Sequence, residues 1–353
     1  RQPYPEHGLP YICPACGGIY DFDAPPDFDP KKVEPGLPGY WRYRHAFSLP
    51  VGAPLVSLGE GNTPLIWADA GSEKVALKLE SLNPTGSYKD RGSAVLVSRL
   101  AADGAQRAVE DSSGNAGASF AAYMARANLA ARVYVPESAS GPKREQIEAY
   151  GAELRPIPGP RSAAAQAVLA EAQQGVPYGS HAYLPFGLAG IATIAYELIE
   201  QLGCVPGTVV APVGHGGLLL GILRGFAAAL RIEHPPYYVG VQAAACAPLV
   251  HAWQNGLATI EQVTEGATLA EGVRVRRPLR AEALLAEIPR GKGEFLAVPE
   301  EELLPAFRAL AHGGVYVEPT SALVWAAMRQ LGKVPRPLVL IISGIGLKYR
   351  SEA

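Results

Sequence analysis

Long hydrophobic runs, an excess of either charge and a cysteine framework are all missing from this sequence. No apolar run approaches the ~20 residues that a bilayer-spanning helix requires, so a soluble protein without a membrane partner is expected. Arg1 to Pro30 is polar and proline-rich, not patterned like a signal peptide. The 31 basic residues stand against 33 acidic ones, a formal −2, so no basic excess is available to neutralise phosphates. That excludes nucleic acid as the main partner. Four cysteines are too few for a disulfide framework and fit a reducing, cytoplasmic setting.

With 353 residues, 48% of them hydrophobic, the chain is long enough for a large core in two domains. Its 39 glycines and 32 prolines fall between apolar segments, where they act as punctuation. Short apolar strands are expected at Val75–Leu79, Arg107–Val109, Ala131–Val135, Glu153–Ile157, Thr208–Pro212, Tyr238–Gln242 and Leu338–Ser343. Helices are expected between most of them, at Gly92–Asp103, Ala116–Ala127, Pro142–Tyr150, Arg161–Gln174, Leu188–Leu202 and Gly217–Leu230, with Thr320–Leu331 before the last strand. This alternation predicts an α/β fold with parallel or mostly parallel twisted sheets flanked by helices. Residues 1–40 have neither period and read as an irregular arm. Within it, Cys13-Pro-Ala-Cys16-Gly is half of a zinc-ribbon knuckle, open to three readings: a metal-free remnant, a zinc site completed by histidine or a second chain, or a redox pair.

Four turns at strand ends carry the chemistry. The first, Asn83-Pro-Thr-Gly-Ser-Tyr-Lys89-Asp-Arg-Gly92, leads from a strand into a helix that starts near Ser87. By itself Lys89 reads as a surface lysine paired with Asp90. The second, Asp111-Ser-Ser-Gly-Asn115-Ala-Gly117, gathers hydroxyls, an amide and helix N-terminal N–H groups, which suits a carboxylate or phosphate and equally an ordinary cap. The third, Gly214-His215-Gly216-Gly217-Leu218, leaves backbone N–H groups bare at a helix start and forms a cup for one phosphate. Its spacing matches neither the P-loop nor the dinucleotide fingerprint. The fourth sets Ser343 at a strand end, where a neutral hydroxyl can meet a ring nitrogen. A lysine, a single-phosphate cup and a neutral hydroxyl together point to pyridoxal phosphate held as an imine.

These motifs, with Gly59-Glu-Gly-Asn-Thr-Pro-Leu65, Gly190-Ile-Ala-Thr193 with Glu197, and Glu318-Pro-Thr-Ser-Ala322, resemble the fold-type II pyridoxal-phosphate enzymes and, among them, the threonine synthases. The resemblance implies that Lys89 carries the cofactor and moves protons. It places the cofactor's phenolic oxygen near Asn115, its phosphate on Gly214, His215, Gly216, Gly217 and Leu218, and its pyridine nitrogen near Ser343. Ser112, Ser113, Asn115 and Ala116 would clasp the substrate carboxylate, and Thr85, Ser87, Lys143 and Arg144 are candidates for its phosphate. The implied protein is a homodimeric lyase of amino-acid biosynthesis that holds no catalytic metal and takes O-phospho-L-homoserine. Residues 41–90 with 185–353 would form the large domain and 91–184 a small mobile one, with the site in the crevice between them. Ser113 stands where the resembled family usually has Thr, and Glu271-Gly-Val-Arg-Val275 is closer to serine/threonine dehydratases. A dehydratase or β-replacement enzyme is therefore the alternative, and a silent ligand-binding homologue a further one.

Overall fold

A computed structural model describes residues 3–5, 9–71, 73–139, 141–230, 234–288 and 291–350. Of the expected arm, residues 1–2 and 6–8 lie outside this set. The described part of the arm contains only a 3-10 turn, Pro30–Lys32, before a second one at Gly39–Ala46.

The strands open with β1 (Leu65–Ala70) and β2 (Glu73–Lys78). There follow α1 (Lys89–Ala102), β3 (Arg107–Glu110), α2 (Asn115–Arg126), β4 (Ala130–Pro136), α3 (Pro142–Ala149), β5 (Glu153–Ile157) and α4 (Arg161–Ala172). After α5 (Gly187–Leu202) come β6 (Thr208–Pro212), α6 (Gly217–Leu230), β7 (Tyr237–Ala243), α7 (Pro248–Gln254) and α8 (Ala281–Glu287). The chain ends through β8 (Gly293–Val298), α9 (Glu300–His312), α10 (Pro319–Met328) and β9 (Leu338–Ile341). β5, β6 and α6 have the expected bounds, whereas α1 starts at Lys89, between the start near Ser87 read from the turn and the Gly92 read from the apolar pattern, because Lys89, Asp90 and Arg91 form its first turn. β1, β8, α7, α8 and α9 were not expected. β1 is an edge strand with Trp67 and Asp69 exposed and its other residues half-buried.

The chain divides into two compact units, Arg1–Glu60 with Asn83–Gly190 and Arg350–Ala353, and Gly61–Leu82 with Ile191–Tyr349. The first unit holds the parallel sheet β3-β4-β5. Val109, Val168, Val176 and Tyr178 are buried together there, and the arm joins them through Tyr11, whose ring meets Tyr178 and Tyr183 edge-on at 5.4 and 5.3 Å. The second unit holds the sheet β1-β2-β9-β6-β7-β8, antiparallel only between β1 and β2. β6 and β9 are buried at every residue, as strands covered on both faces must be. A fully buried ion pair lies at the edge of this sheet. Lys78 Nζ donates to Glu197 Oε2 (2.7 Å), Thr63 O (2.7 Å) and Gln201 Oε1 (2.9 Å), and Asn62 N–H donates to Glu197 Oε1 (2.7 Å). It ties the loop before β1 to β2 and α5. Among the described residues no helix is long and apolar enough to cross a membrane.

Candidate active site

In the first unit, the 83–89 loop is bent by a turn in which Gly86 N–H donates to Asn83 O (2.7 Å). It is then clamped by Asp90, in the first turn of α1. One Asp90 oxygen accepts from Thr85 N–H (2.7 Å), and the other from the hydroxyls of Thr85 (2.5 Å) and Ser119 (2.6 Å). Ser119 also meets Ser93 at 2.8 Å. A carboxylate at a helix N-terminus is favoured by the dipole, and these donors satisfy it while it is buried. Asp90 is thus turned into the protein, and Lys89 emerges as the first residue of α1, half-buried, its ammonium 4.8 Å from the Tyr88 ring centroid. Two residues earlier in the chain, the Ser87 hydroxyl is buried and has no hydrogen-bond partner among the described residues.

The second predicted turn joins β3 to α2. Glu110, at the end of β3, accepts from the N–H groups of Asp111 and Ser112 (the latter 2.7 Å) through one oxygen. Ser112 Oγ accepts from Gly114 N–H at 3.2 Å. Ala118 N–H makes an early bond of the helix, to Gly114 O (3.1 Å), so the N–H groups of Asn115, Ala116 and Gly117 precede the intrahelical ladder. Gly117 is required here: a Cβ on it would stand 1.9 Å from Ser112 O. Ser113 and Asn115 are half-buried and Ala116 is buried.

Around this loop is a titratable cluster that the sequence pattern does not single out. His181 Nδ1 lies 3.4 Å from the other Glu110 oxygen, and Tyr178 OH donates to Asp111 Oδ1 (2.6 Å). Burial, and then the positive charge of Lys89, hold His181 well below the ordinary histidine pKa. Burial, reinforced by neighbouring Glu110, pushes Asp111 up to about 6. Burial also raises Glu110, against the pull of its hydrogen bonds from Asp111 and Ser112. Lys143 and Arg144 are half-buried on α3; Arg144 donates to Ala139 O (2.9 Å) and lies 3.5 Å from Glu148.

In the second unit, the turn after β6 is the bare backbone the sequence predicts. Gly216 has φ +97°, which favours glycine, and a Cβ on Gly214 would stand 2.8 Å from Gly272 O. His215, half-buried, accepts through its carbonyl from Arg280 N–H (2.9 Å). Leu220 N–H bonds Gly216 O (3.0 Å), which leaves the first N–H groups of α6 for an anion. Beyond β9, Ser343 is buried, with its Oγ 3.0 Å from Ser321 Oγ. Ser321 in turn accepts from Gly344 N–H (2.8 Å), a support that lies outside the strand-end motif.

These donors fit pyridoxal phosphate. The first unit offers a half-buried amine and a buried hydroxyl with no hydrogen-bond partner among the described residues; the second offers a glycine-rich loop at the N-terminus of a 14-residue helix and a buried neutral hydroxyl at a strand end. The chain belongs to the pyridoxal-phosphate dependent enzymes, a family whose sequence model matches residues 56–344. Its curated relatives include threonine synthases. That of Methanocaldococcus jannaschii is 34% identical over 96% of this chain and 88% of the relative. That of Methanosarcina acetivorans is 33% identical over 93% and 84%. Among solved structures, a T.th. threonine deaminase superposes with a TM-score of 0.69 at 29% identity, covering 82% of this chain and 94% of that one. Maize serine racemase shares the fold, with a TM-score of 0.71 at 20% identity over 80% and 88%.

Elsewhere, Cys13 and Cys16 lie in a turn closed by Cys13 N–H to Gly18 O and Gly17 N–H to Cys13 O, both 2.8 Å, and neither is disulfide-bonded. Among the described residues, no three His, Cys, Asp or Glu side chains are arranged so that they could hold a metal ion.

Proposed function

We propose that this enzyme converts O-phospho-L-homoserine and water to L-threonine and inorganic phosphate. The observation that carries the reading is the match to threonine synthases along 96% of the chain. Pyridoxal phosphate, when bound, supplies an aldehyde that joins amines and a conjugated ring that spreads negative charge from the substrate carbons. Lys89 is the amine to hold it and then to take and return protons, and the Asp90 clamp fixes where that amine emerges. The N–H groups of Gly214 to Leu218, with His215 among them, would hold the cofactor's phosphate, and Asn115 its phenolic oxygen. Ser321 accepts from Gly344 N–H, and its own hydrogen has two acceptors in reach, Gly344 O at 3.1 Å and Ser343 Oγ at 3.0 Å; in the pyridoxal-phosphate-bound enzyme it would go to Ser343. Ser343 then has its hydrogen to donate to a ring nitrogen, where a neutral hydroxyl places no counter-charge.

Ser112, Ser113, Asn115 and Ala116 would bind the substrate's carboxylate. Of the candidates for its phosphate, Thr85 is engaged by Asp90 and Arg144 by Ala139 and Glu148. Ser87, buried with no hydrogen-bond partner among the described residues, is the best placed. The reading carries with it the cytoplasmic homodimer that the resemblance implies. The likeness to a threonine deaminase at 29% identity favours one second reading, elimination of ammonia from a hydroxy amino acid. Incubation with O-phospho-L-homoserine, and separately with threonine or serine, separates the two. Equal release of phosphate and threonine, abolished in Lys89→Ala, is expected; ammonia and a 2-oxo acid from threonine or serine, without phosphate release, would overturn it.

A further inference from the structure

The family motifs leave the Glu110–His181 pair without a task. Glu110 is 1% exposed and spends one carboxylate oxygen on two consecutive backbone N–H groups, those of Asp111 and Ser112. A buried carboxylate next to an anion-binding turn is electrostatically opposed to that turn's ligand, so charge alone does not account for it. Geometry does. By gripping these N–H groups, Glu110 sets the path of the backbone from β3 into Ser112, and the Ser112 carbonyl then lies where only a glycine at 117 leaves room for it. The other oxygen faces His181 Nδ1 at 3.4 Å. Besides Glu110, the charges of Lys89, Asp111 and Arg161 act on that ring. A neutral imidazole can donate from Nδ1, which holds Glu110 without adding a charge.

We propose that Glu110 and His181 are positioning residues for the substrate: Glu110 holds the Ser112–Ala116 turn in its carboxylate-binding shape, and His181 holds Glu110. The inference rests on the proposed carboxylate-binding role of that turn, and not on which leaving group departs, because synthase and deaminase substrates share the α-carboxylate.

Two substitutions separate grip from charge. In Glu110→Gln the amide oxygen can still accept both N–H groups, and its NH2 can face a ring nitrogen. In Glu110→Ala both N–H groups lose their acceptor. Binding of L-threonine to the holoenzyme, followed by visible absorbance, is expected to weaken about tenfold or more in Glu110→Ala and less than about threefold in Glu110→Gln. His181→Ala should fall between them. Hydrogen exchange in the protein without added amino acid supplies a readout independent of the cofactor. The amides of 111–113 should lose protection in Glu110→Ala and keep it in Glu110→Gln. Equal behaviour of the two Glu110 variants in binding and exchange would overturn the proposal, as would a Glu110→Ala enzyme that binds threonine like the wild type. If Glu110→Ala does not fold, a Glu110→Gln enzyme weakened about tenfold decides against the grip. Phosphate release by the wild type, measured in parallel, tests the threonine synthase reading separately.

Discussion

Replacing Asp90 tests the clamp that presents Lys89. The Asp90 carboxylate is fully buried and accepts hydrogen bonds from Thr85 N–H, Thr85 Oγ1 and Ser119 Oγ at 2.7, 2.5 and 2.6 Å. In Asp90→Ala, the buried Thr85 N–H is left without this acceptor, at about 1–3 kcal/mol, and two charge-assisted bonds are lost, at about 1.5–3 kcal/mol each. Relief of burying a charge, and re-pairing of the Thr85, Ser93 and Ser119 hydroxyls with one another, offset part of that. A net loss of about 3–5 kcal/mol remains. Asp90→Asn is a gentler probe. Its amide oxygen can face Thr85 N–H while its NH2 faces the two hydroxyls, which rotate to accept, so about 1–2 kcal/mol is expected. Urea unfolding at constant m-value measures both, and the visible band of the Lys89-bound cofactor reports whether the amine is still presented. An Asp90→Ala protein within about 0.5 kcal/mol of wild type would refute the clamp.

Glu197→Ala should cost about 3–5 kcal/mol, because Lys78 would keep its buried charge with only neutral acceptors, Thr63 O and Gln201, of those given above. The double change Lys78→Met with Glu197→Leu should recover part of this in a urea double-mutant cycle; additive losses would contradict the pairing. Asp111, pushed up to about 6, binds its proton more tightly folded than unfolded. Its contribution to stability is therefore present at low pH and lost as pH rises through about 4 to 6. The advantage of Asp111→Asn over wild type should grow across that window by up to about 3 kcal/mol and then level off. A difference independent of pH would show that Asp111 titrates normally.

Much of this protein was determined by local sequence. Short β-branched strands alternating with helices require parallel sheets, and the bounds of β5, β6 and α6 follow from that pattern. Gly216 at φ +97° and the bare start of α6 are written in the glycines themselves, because backbone freedom is a property of single residues. Lys89 was legible for a similar reason: the turn that exposes it is made of neighbours. What the tertiary structure alone decided is which polar groups meet. Trp67 and Asp69 mark β1 as an edge only once β2 is paired beside it. Glu110 finds His181 across 71 residues and Lys78 finds Glu197 across 119. Asp90, which reads as a surface partner for Lys89, is buried against Thr85 and Ser119 instead. A carboxylate's partner depends on where water is excluded and which donors remain there. Those conditions exist only after distant segments have packed.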